Sequence, residues 1–439
     1  MIISQKGVQT PLSEMTERCY DMLIRRDIYL NKLIRRERNG LIKVVTGIRR
    51  CGKSFLLFEL FHQHLLEQKI DEAHIIEIAL DDRRNIALRD PDNILAYIMG
   101  KIIDSQPYYI IIDEIQLLDE FVDVLNSLLH IKNADVYVTG SNSRFLSSDV
   151  ITEFRGRGDE IHVYPLSFRE YLSAYNGTLD EAWDDFFNYG GLPLILTRDT
   201  AEDKSDYLTT LLKKVYVSDI VERHKIRNRE ELDELLDILA STIGSLTNPI
   251  KLEKTFKSVK NKKISSKTLA KYIDYLIDAF LVSKAVRYDV KGRKYISSPS
   301  KYYFEDIGLR NARLNFRQTE ENHIMENIIY NELRIRGFHV DVGVVEQYGK
   351  NELSKTTKRQ LEIDFIATMG SRKYYIQSAF SLYNPEKITQ EQNPLIAVND
   401  SFKKIIVVRD NIKVRRNDYG IITVGVQNFL LDENSLEMV

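Results

Sequence analysis

The eight residues from Gly47 to Ser54 constrain the chain more than any other segment. They read Gly-Ile-Arg-Arg-Cys-Gly-Lys-Ser and match the pattern G-x-x-x-x-G-K-[ST] of a phosphate-binding loop. The β-branched run 41–46 before them predicts a buried strand, and the residues after them predict a helix from Ser54 to about Gln68. Between a strand and a helix, such a loop presents backbone N–H groups and the positive end of the helix dipole to phosphate oxygens. The segment therefore predicts a P-loop that binds a nucleotide.

Nine consecutive residues are predicted to hold the nucleotide. They are Gly47, Ile48, Arg49, Arg50, Cys51, Gly52, Lys53, Ser54 and Phe55. We expect Lys53 to reach the β- and γ-phosphate oxygens of ATP, and the Ser54 hydroxyl to bind Mg²⁺. Cys51 fills a variable position of the loop, and we interpret it as a packing residue.

A second apolar run, 108–112, ends in the two carboxylates Asp113 and Glu114. Downstream of a P-loop this arrangement favours hydrolysis. Asp113 would hold Mg²⁺ through its water shell, and Glu114 would act as the general base for the attacking water. The alternative is a plain strand end that carries two acidic residues.

A third apolar run, 136–139, predicts another strand, and it is followed by Gly140, Ser141 and Asn142. Small polar residues at this point suit a sensor of the γ-phosphate. We assign Asn142 to hydrogen bonding with the attacking water, with Ser141 as the second choice. An ordinary polar turn remains an alternative interpretation of the same residues.

Strands and helices alternate between residues 41 and 165, and the fifth predicted strand lies at 162–164. This alternation predicts an α/β fold in which helices cover both faces of a parallel sheet. From 167 to about 245 the pattern becomes helical, and from about 320 it is again mixed. We predict a P-loop core at residues 1–165, a helical segment at 166–245, a third segment at 246–315 and a carboxy-terminal α/β domain at 316–439.

Several motifs in a fixed order resemble a family of predicted prokaryotic AAA+-type ATPases. They are the P-loop, Ile112-Asp113-Glu114-Ile115-Gln116, Thr139-Gly140-Ser141-Asn142, Gly156-Arg157 ahead of Tyr164-Pro165-Leu166-Ser167-Phe168-Arg169-Glu170-Tyr171, and Gly190-Gly191-Leu192-Pro193. The resemblance covers most of the chain. It implies an ASCE-type P-loop core with a helical lid, and a carboxy-terminal domain of uncharacterised function.

The same resemblance makes Arg155 and Arg157 candidates for an arginine finger that acts on the nucleotide of a neighbouring subunit. Such a finger stabilises charge on the transferred phosphoryl group. An arginine finger that acts on a neighbouring subunit implies a homo-oligomer. The alternative is that both arginines are exposed on a surface loop, which implies no oligomer.

Positive charge is concentrated between residues 251 and 300, where thirteen basic residues stand against four acidic ones in a chain of net charge -2. The pattern predicts two amphipathic helices, the second capped by a serine, and then a hairpin, which resembles a winged helix-turn-helix. In a version that binds duplex DNA, Lys267, Lys271 and Arg293 would carry the contacts. A fold used for packing or for a protein partner is the alternative.

The last part of the chain resembles the restriction-nuclease-like fold. Glu326 on a predicted helix and Asp364 on a predicted strand match its metal-binding carboxylates, but its E-x-K positions hold Gln377 and Ala379. Because Ala cannot position a water and Gln binds Mg²⁺ weakly, we expect this domain to bind a ligand without cutting it.

Cysteine content and hydrophobicity indicate the cellular location of the protein. The chain has two cysteines, Cys19 and Cys51, and no apolar stretch long enough for a membrane helix, so we expect a cytoplasmic protein with no membrane partner. The predicted activity is hydrolysis of ATP to ADP and phosphate, coupled to movement of a DNA- or protein-binding region. Two alternatives are a nucleotide-gated DNA-binding module with negligible turnover and a metal-dependent nuclease.

Overall fold

Two β-sheets organise the parts of the chain that the computed structural model describes. These parts are residues 24–140, 156–259, 262–317, 320–350, 356–382 and 384–437. The first sheet contains β1 (Ile42–Thr46), β2 (Ile75–Ala79), β3 (Tyr108–Asp113), β4 (Ala134–Thr139) and β5 (Gly158–His162). Their order is β2-β3-β4-β1-β5, and every pair is parallel. The predicted parallel sheet is therefore confirmed, and β4 separates the P-loop strand from the strand that ends in Asp113.

The fifth strand lies earlier in the chain than the sequence predicts. β5 begins at Gly158 and ends at His162, so the predicted strand at 162–164 overlaps it by a single residue. β5 is an edge strand with exposed or half-buried residues at most positions. Its polar residues therefore lack the continuous apolar run that reveals a central parallel strand.

Helices cover both faces of this sheet. They are α1 (Asp27–Ile34), α2 (Lys53–Phe55), α3 (His62–Glu67), α4 (Pro91–Lys101) and α5 (Phe121–Leu128), and a π-helical stretch, Leu56–Phe61, joins α2 to α3. Tyr109 and Ile111 of β3 pack in one core with α1 and the run 53–67, whereas Ile110 and Ile112 pack in the other with α4 and α5. This alternation follows from the two-residue period of side chains along a strand.

The next segment is helical, as the sequence predicts. It contains α6 (Phe168–Ser173), α7 (Leu179–Tyr189), the 3-10 turn Pro193–Thr197, α8 (Ala201–Thr210), the π-helical stretch Leu211–Val217, α9 (Ser218–Arg223) and α10 (Arg229–Ser241). Capping boxes begin α6 at Ser167 and Glu170, and α7 at Thr178 and Glu181. Each box satisfies N–H groups that the first turn of a helix cannot pair internally.

The basic segment contains α11 (Pro249–Val259) and α12 (Ser266–Asp278). Ser265 caps α12, because its hydroxyl accepts the backbone N–H of Thr268 at 3.1 Å. A hairpin follows, and its second strand extends to Phe304. Helix, helix and hairpin therefore occur in the predicted order, and the winged-helix assignment stays a prediction.

The hairpin is joined to the second sheet. This sheet contains β6 (Val282–Asp289), β7 (Lys294–Phe304), β8 (His339–Lys350), β9 (Thr356–Met369), β10 (Arg372–Ala379), β11 (Lys403–Val408), β12 (Arg415–Arg416) and β13 (Ile422–Gly425). Its order is β12-β13-β11-β10-β9-β8-β6-β7, with β6 parallel to β8. The helices around it are α13 (Ile307–Arg313), α14 (Glu321–Ile335), α15 (Pro385–Ala397) and α16 (Val426–Leu431). Within the described ranges, no helix has both the length and the apolar character needed to cross a bilayer.

Candidate nucleotide-binding site

The P-loop connects the end of β1 to the start of α2, and its glycines are required by its shape. Gly47 has φ of 139° and Gly52 has φ of 98°, values that side chains rarely tolerate. A Cβ atom on Gly47 would lie 2.1 Å from the carbonyl oxygen of Val163. The loop can therefore pass against the end of β5 only with glycine at this position.

Lys53 opens the helical run and is folded back over the loop. Its Nζ donates hydrogen bonds to the carbonyl oxygens of Gly47 at 3.0 Å and Ile48 at 3.2 Å, and the residue is 5% exposed. The first N–H groups of a helix have no partner within it. An ammonium group and helix N–H groups beside a tight glycine turn fit the phosphates of a nucleotide.

A cleft of about 290 Å³ lies over this loop. The P-loop and the start of its helix contribute Arg50, Gly52, Lys53, Ser54 and Phe55 to the lining, and the other lining residues are Ile24, Arg26, Glu114, Leu166, Pro193, Leu194 and Thr197. The structure thus brings five of the nine predicted nucleotide ligands, among them the predicted Mg²⁺ ligand Ser54, to the same space as the predicted catalytic carboxylate Glu114.

Thr139 ties together the two acidic residues at the end of β3. Its hydroxyl donates to the Oδ1 atom of Asp113 and accepts the backbone N–H of Glu114 at 3.0 Å. Asp113 is buried behind the cleft and does not line it, whereas Glu114 does. Glu114 has φ of 50°, and its carboxylate also accepts from the Gln116 amide. The sequence pattern pointed to residues beyond Thr139 and missed this threonine.

Arg26 holds the backbone of the P-loop, and nothing in the local sequence indicates this role. The side chain is 2% exposed. Its guanidinium donates to the carbonyl oxygens of Cys51 at 2.9 Å and Tyr164 at 2.7 Å, and pairs with Glu170 at 3.0 Å. Because Tyr164 lies 138 residues away and Glu170 still further, only the folded chain shows this role.

Cys51 and Arg49 face away from the phosphate side. The Cys51 thiol donates to the carbonyl oxygen of Val163 at 3.2 Å, and burial raises its pKa, which suits a packing residue better than a nucleophile. Tyr216 donates its hydroxyl to the Arg49 carbonyl oxygen at 2.5 Å, and the Arg49 guanidinium pairs with Asp219 at 3.1 Å. The helical segment 168–241 thus contacts both the backbone and the side chain of Arg49 in the P-loop.

Arg157, a further catalytic candidate, does not line this cleft. It is exposed, and its carbonyl oxygen accepts the N–H of Ile42 at the first residue of β1. The P-loop follows the other end of β1, five residues and about 16 Å away at the usual rise per residue. Arg157 therefore lies at the end of β1 that is away from the P-loop. Asn142 and Arg155 lie outside the described residues.

The predicted carboxylates of the second sheet meet around a lysine. Lys301 on β7 places its Nζ 2.8 Å from Glu326, 2.9 Å from Glu362 and 3.3 Å from Asp364. Gln377 accepts the backbone N–H of Asp364 at 3.3 Å. In the described part of the chain, no group of three or more His, Cys, Asp or Glu residues is arranged so that it could hold a metal ion. The cation among these carboxylates is an ammonium group that sequence reasoning missed.

Comparisons with known proteins agree with this geometry. Residues 39–172 match the model of an AAA domain, and residues 180–320 match a domain of unknown function (DUF8612). An uncharacterised protein of Haemophilus influenzae is 33% identical over 415 residues, which cover 93% of this chain and 99% of that protein. An uncharacterised protein of Methanocaldococcus jannaschii is 30% identical over 429 residues, covering 93% and 89%.

Among solved structures, the Aeropyrum pernix ORC1 protein in complex with DNA covers 67% of this chain and 93% of its own at 12% identity. The TM-score is 0.31, an overlap too low to transfer any property. The matched AAA region contains the whole P-loop, β3 and its two carboxylates. The chain therefore belongs, together with the two relatives above, to a family of AAA-domain proteins, which bind ATP at a P-loop.

Proposed function

We propose that this protein hydrolyses ATP to ADP and phosphate, and that hydrolysis moves its carboxy-terminal region. The observation that carries the proposal is the shared cleft, where the Lys53 ammonium group, the Ser54 hydroxyl and the Glu114 carboxylate line one space. A cation, an oxygen ligand and a base around a phosphate-sized loop are the parts that phosphoryl transfer to water needs.

Each group has a separate task. Lys53 leaves the loop carbonyls and binds the β- and γ-phosphate oxygens, and Glu114 accepts a proton from the attacking water. Ser54 and Asp113 would hold Mg²⁺, which supplies positive charge to the phosphate oxygens. Thr139 fixes the positions of Asp113 and Glu114 relative to each other, because its hydroxyl forms a hydrogen bond with each of them.

Replacement of Lys53 tests the binding step. We expect Lys53→Ala to weaken ATP binding roughly 10- to 100-fold, the usual contribution of a hydrogen bond to a charged group. Isothermal titration with ATP and Mg²⁺ measures the affinity. Lys101→Ala, at an exposed lysine on α4, is the control. ATP affinity that is equal in both variants would contradict the assignment of the P-loop.

We also propose that the moving region binds duplex DNA through a basic face. This face consists of the exposed residues Lys251, Lys254, Lys257, Lys263, Lys267, Lys271, Lys291, Arg293 and Lys294. The lysines of α11 recur every third residue, and those of α12 are four apart, so each set lies along one side of its helix. Lys262, by contrast, is paired with Glu230 at 2.8 Å and Glu234 at 3.2 Å.

The salt dependence of binding tests the basic face. We expect wild-type protein to bind duplex DNA with an affinity that falls steeply as salt rises, since cations on the protein replace counterions on DNA. The double variant Lys267→Ala/Lys271→Ala should bind more weakly and lose about two units of the log–log slope. Fluorescence anisotropy measures both, with Lys101→Ala/Lys132→Ala as control. A flat salt response in the wild type would count against DNA as the partner.

A further inference from the structure

The 3-10 turn Pro193–Thr197 supplies part of the cleft lining that does not come from the P-loop. Pro193, Leu194 and Thr197 line the cleft, and a Cβ atom on Gly52 would lie 4.0 Å from the Cγ atom of Pro193. The turn thus approaches the P-loop closely, with mainly apolar groups. A nucleotide has an anionic end, which suits the Lys53 ammonium group, and an aromatic base, which suits apolar groups such as Pro193 and Leu194.

A single carboxylate from the far end of the matched region holds this turn. The Oδ2 atom of Asp306 accepts the backbone N–H of Gly191 at 2.8 Å, and its Oδ1 atom accepts the N–H of Leu309 at 3.0 Å. Asp306 is the N-cap of α13, lies 115 residues from Gly191 and is 2% exposed. It therefore joins the start of α13 directly to the turn.

The contact between Asp306 and the residues before the turn leaves no room for side chains at Gly190 and Gly308. A Cβ atom on Gly190 would lie 2.4 Å from the Asp306 carboxylate, and one on Gly308 would lie 1.9 Å from the carbonyl oxygen of Tyr189. Burial raises the pKa of Asp306 to about 6, while the backbone N–H groups around it, including those of Gly191 and Leu309, act to lower the pKa. A carboxylate buried among N–H donors fixes their positions, because leaving them unpaired is costly.

We propose that Asp306 is a positioning residue for the base side of the nucleotide site. Its carboxylate holds the turn after Gly191 so that Pro193, Leu194 and Thr197 contact the base while the P-loop holds the phosphates. The inference rests on the proposed nucleotide function. It gives the region of unknown function, which contains both Gly191 and Asp306, a share in nucleotide binding.

Two ligands separate the base side from the phosphate side. ATP contacts both, whereas inorganic tripolyphosphate contacts the P-loop alone. Asp306→Asn replaces an acceptor by an NH₂ group that faces N–H donors, so the turn moves. We expect its Kd for ATP to rise roughly ten-fold, as for the loss of one charge-assisted hydrogen bond, and its Kd for tripolyphosphate to change less than about two-fold. Isothermal titration with Mg²⁺ measures both values.

A second variant decides the matter if Asp306→Asn does not fold. Leu194→Ala removes a cleft-lining side chain and should show the same selective loss, whereas Leu196→Ala, on the same turn but packed against the core, should keep the wild-type ratio of the two Kd values. The inference is overturned if Leu194→Ala keeps that ratio, or if folded Asp306→Asn weakens both ligands equally. If wild-type protein binds neither ligand, the proposed function fails first and the inference fails with it.

Discussion

Glu114→Gln is expected to bind ATP as tightly as the wild type and to hydrolyse it about 10²- to 10⁴-fold more slowly, the range that general acid–base catalysis contributes. Gln has nearly the size and shape of Glu but cannot accept the proton of the attacking water. The change also leaves the hydrogen bond between the backbone N–H of residue 114 and Thr139 in place, because that bond does not involve the side chain. Binding and turnover should therefore separate.

The matched control lies six residues further along the chain. Glu120→Gln makes the same chemical change at an exposed glutamate that also has a left-handed backbone, with φ of 48° against 50° at Glu114. Phosphate release under multiple-turnover conditions measures hydrolysis, and titration with ATP measures binding. If Glu114→Gln hydrolyses ATP within ten-fold of Glu120→Gln, Glu114 is not the base. If wild-type protein binds ATP but does not turn it over, with or without duplex DNA, the protein is a nucleotide-gated module instead.

The parts of this site that could be predicted from the sequence are motifs of consecutive residues. Gly47 to Ser54 and the pair Asp113-Glu114 combine a local pattern with a predicted strand, and the parallel sheet brings both strand ends to the same edge. The carboxyl ends of parallel strands must meet in this way. Local pattern and sheet topology together therefore predict the cleft.

The missed residues share a different property, which is a partner far away in sequence. Arg26 contacts Tyr164 across 138 residues, Asp306 contacts Gly191 across 115, and Lys301 contacts Asp364 across 63. No periodicity or spacing rule connects residues that far apart. A buried charge that is stabilised by a distant partner leaves only a weak signal in one sequence, namely a charged residue next to an apolar run, as at Lys301 ahead of 302–304.

Lys301 also changes how the carboxy-terminal carboxylates are understood. From the sequence, Glu326 and Asp364 resemble metal ligands that have lost the lysine of their motif. In the structure a lysine from another strand, 3% exposed, stands between them. It neutralises charge where a metal ion would otherwise do so, which fits the expectation from the sequence that this domain does not cut a ligand.

Lys301→Met is therefore expected to destabilise the protein by about 3–5 kcal/mol at neutral pH, the usual cost of removing one partner of a buried ion pair. Met fills a similar volume, so the loss reports charge rather than packing. Lys284→Met, at an exposed lysine on the neighbouring strand, should change stability by less than about 0.5 kcal/mol. Urea unfolding followed by circular dichroism measures both variants.

The pH dependence separates this effect from a simple packing defect. Burial raises the pKa of Asp364 to about 7, although the Lys301 ammonium group acts to lower it. Because an unfolded Asp titrates near 3.9, the folded protein binds more protons than the unfolded chain between about pH 4 and 7. The Asp364 carboxyl therefore lowers the free energy of unfolding as pH rises through that window.

Without Lys301 the pKa of Asp364 rises further, so the loss of stability caused by Lys301→Met should be largest near pH 8 and smallest near pH 5. Adding Asp364→Asn to Lys301→Met should restore part of the loss at pH 8, since one of the carboxylates left without a cation is then neutral. A penalty that is equal at both pH values, and unchanged by Asp364→Asn, would show that Lys301 acts by packing alone.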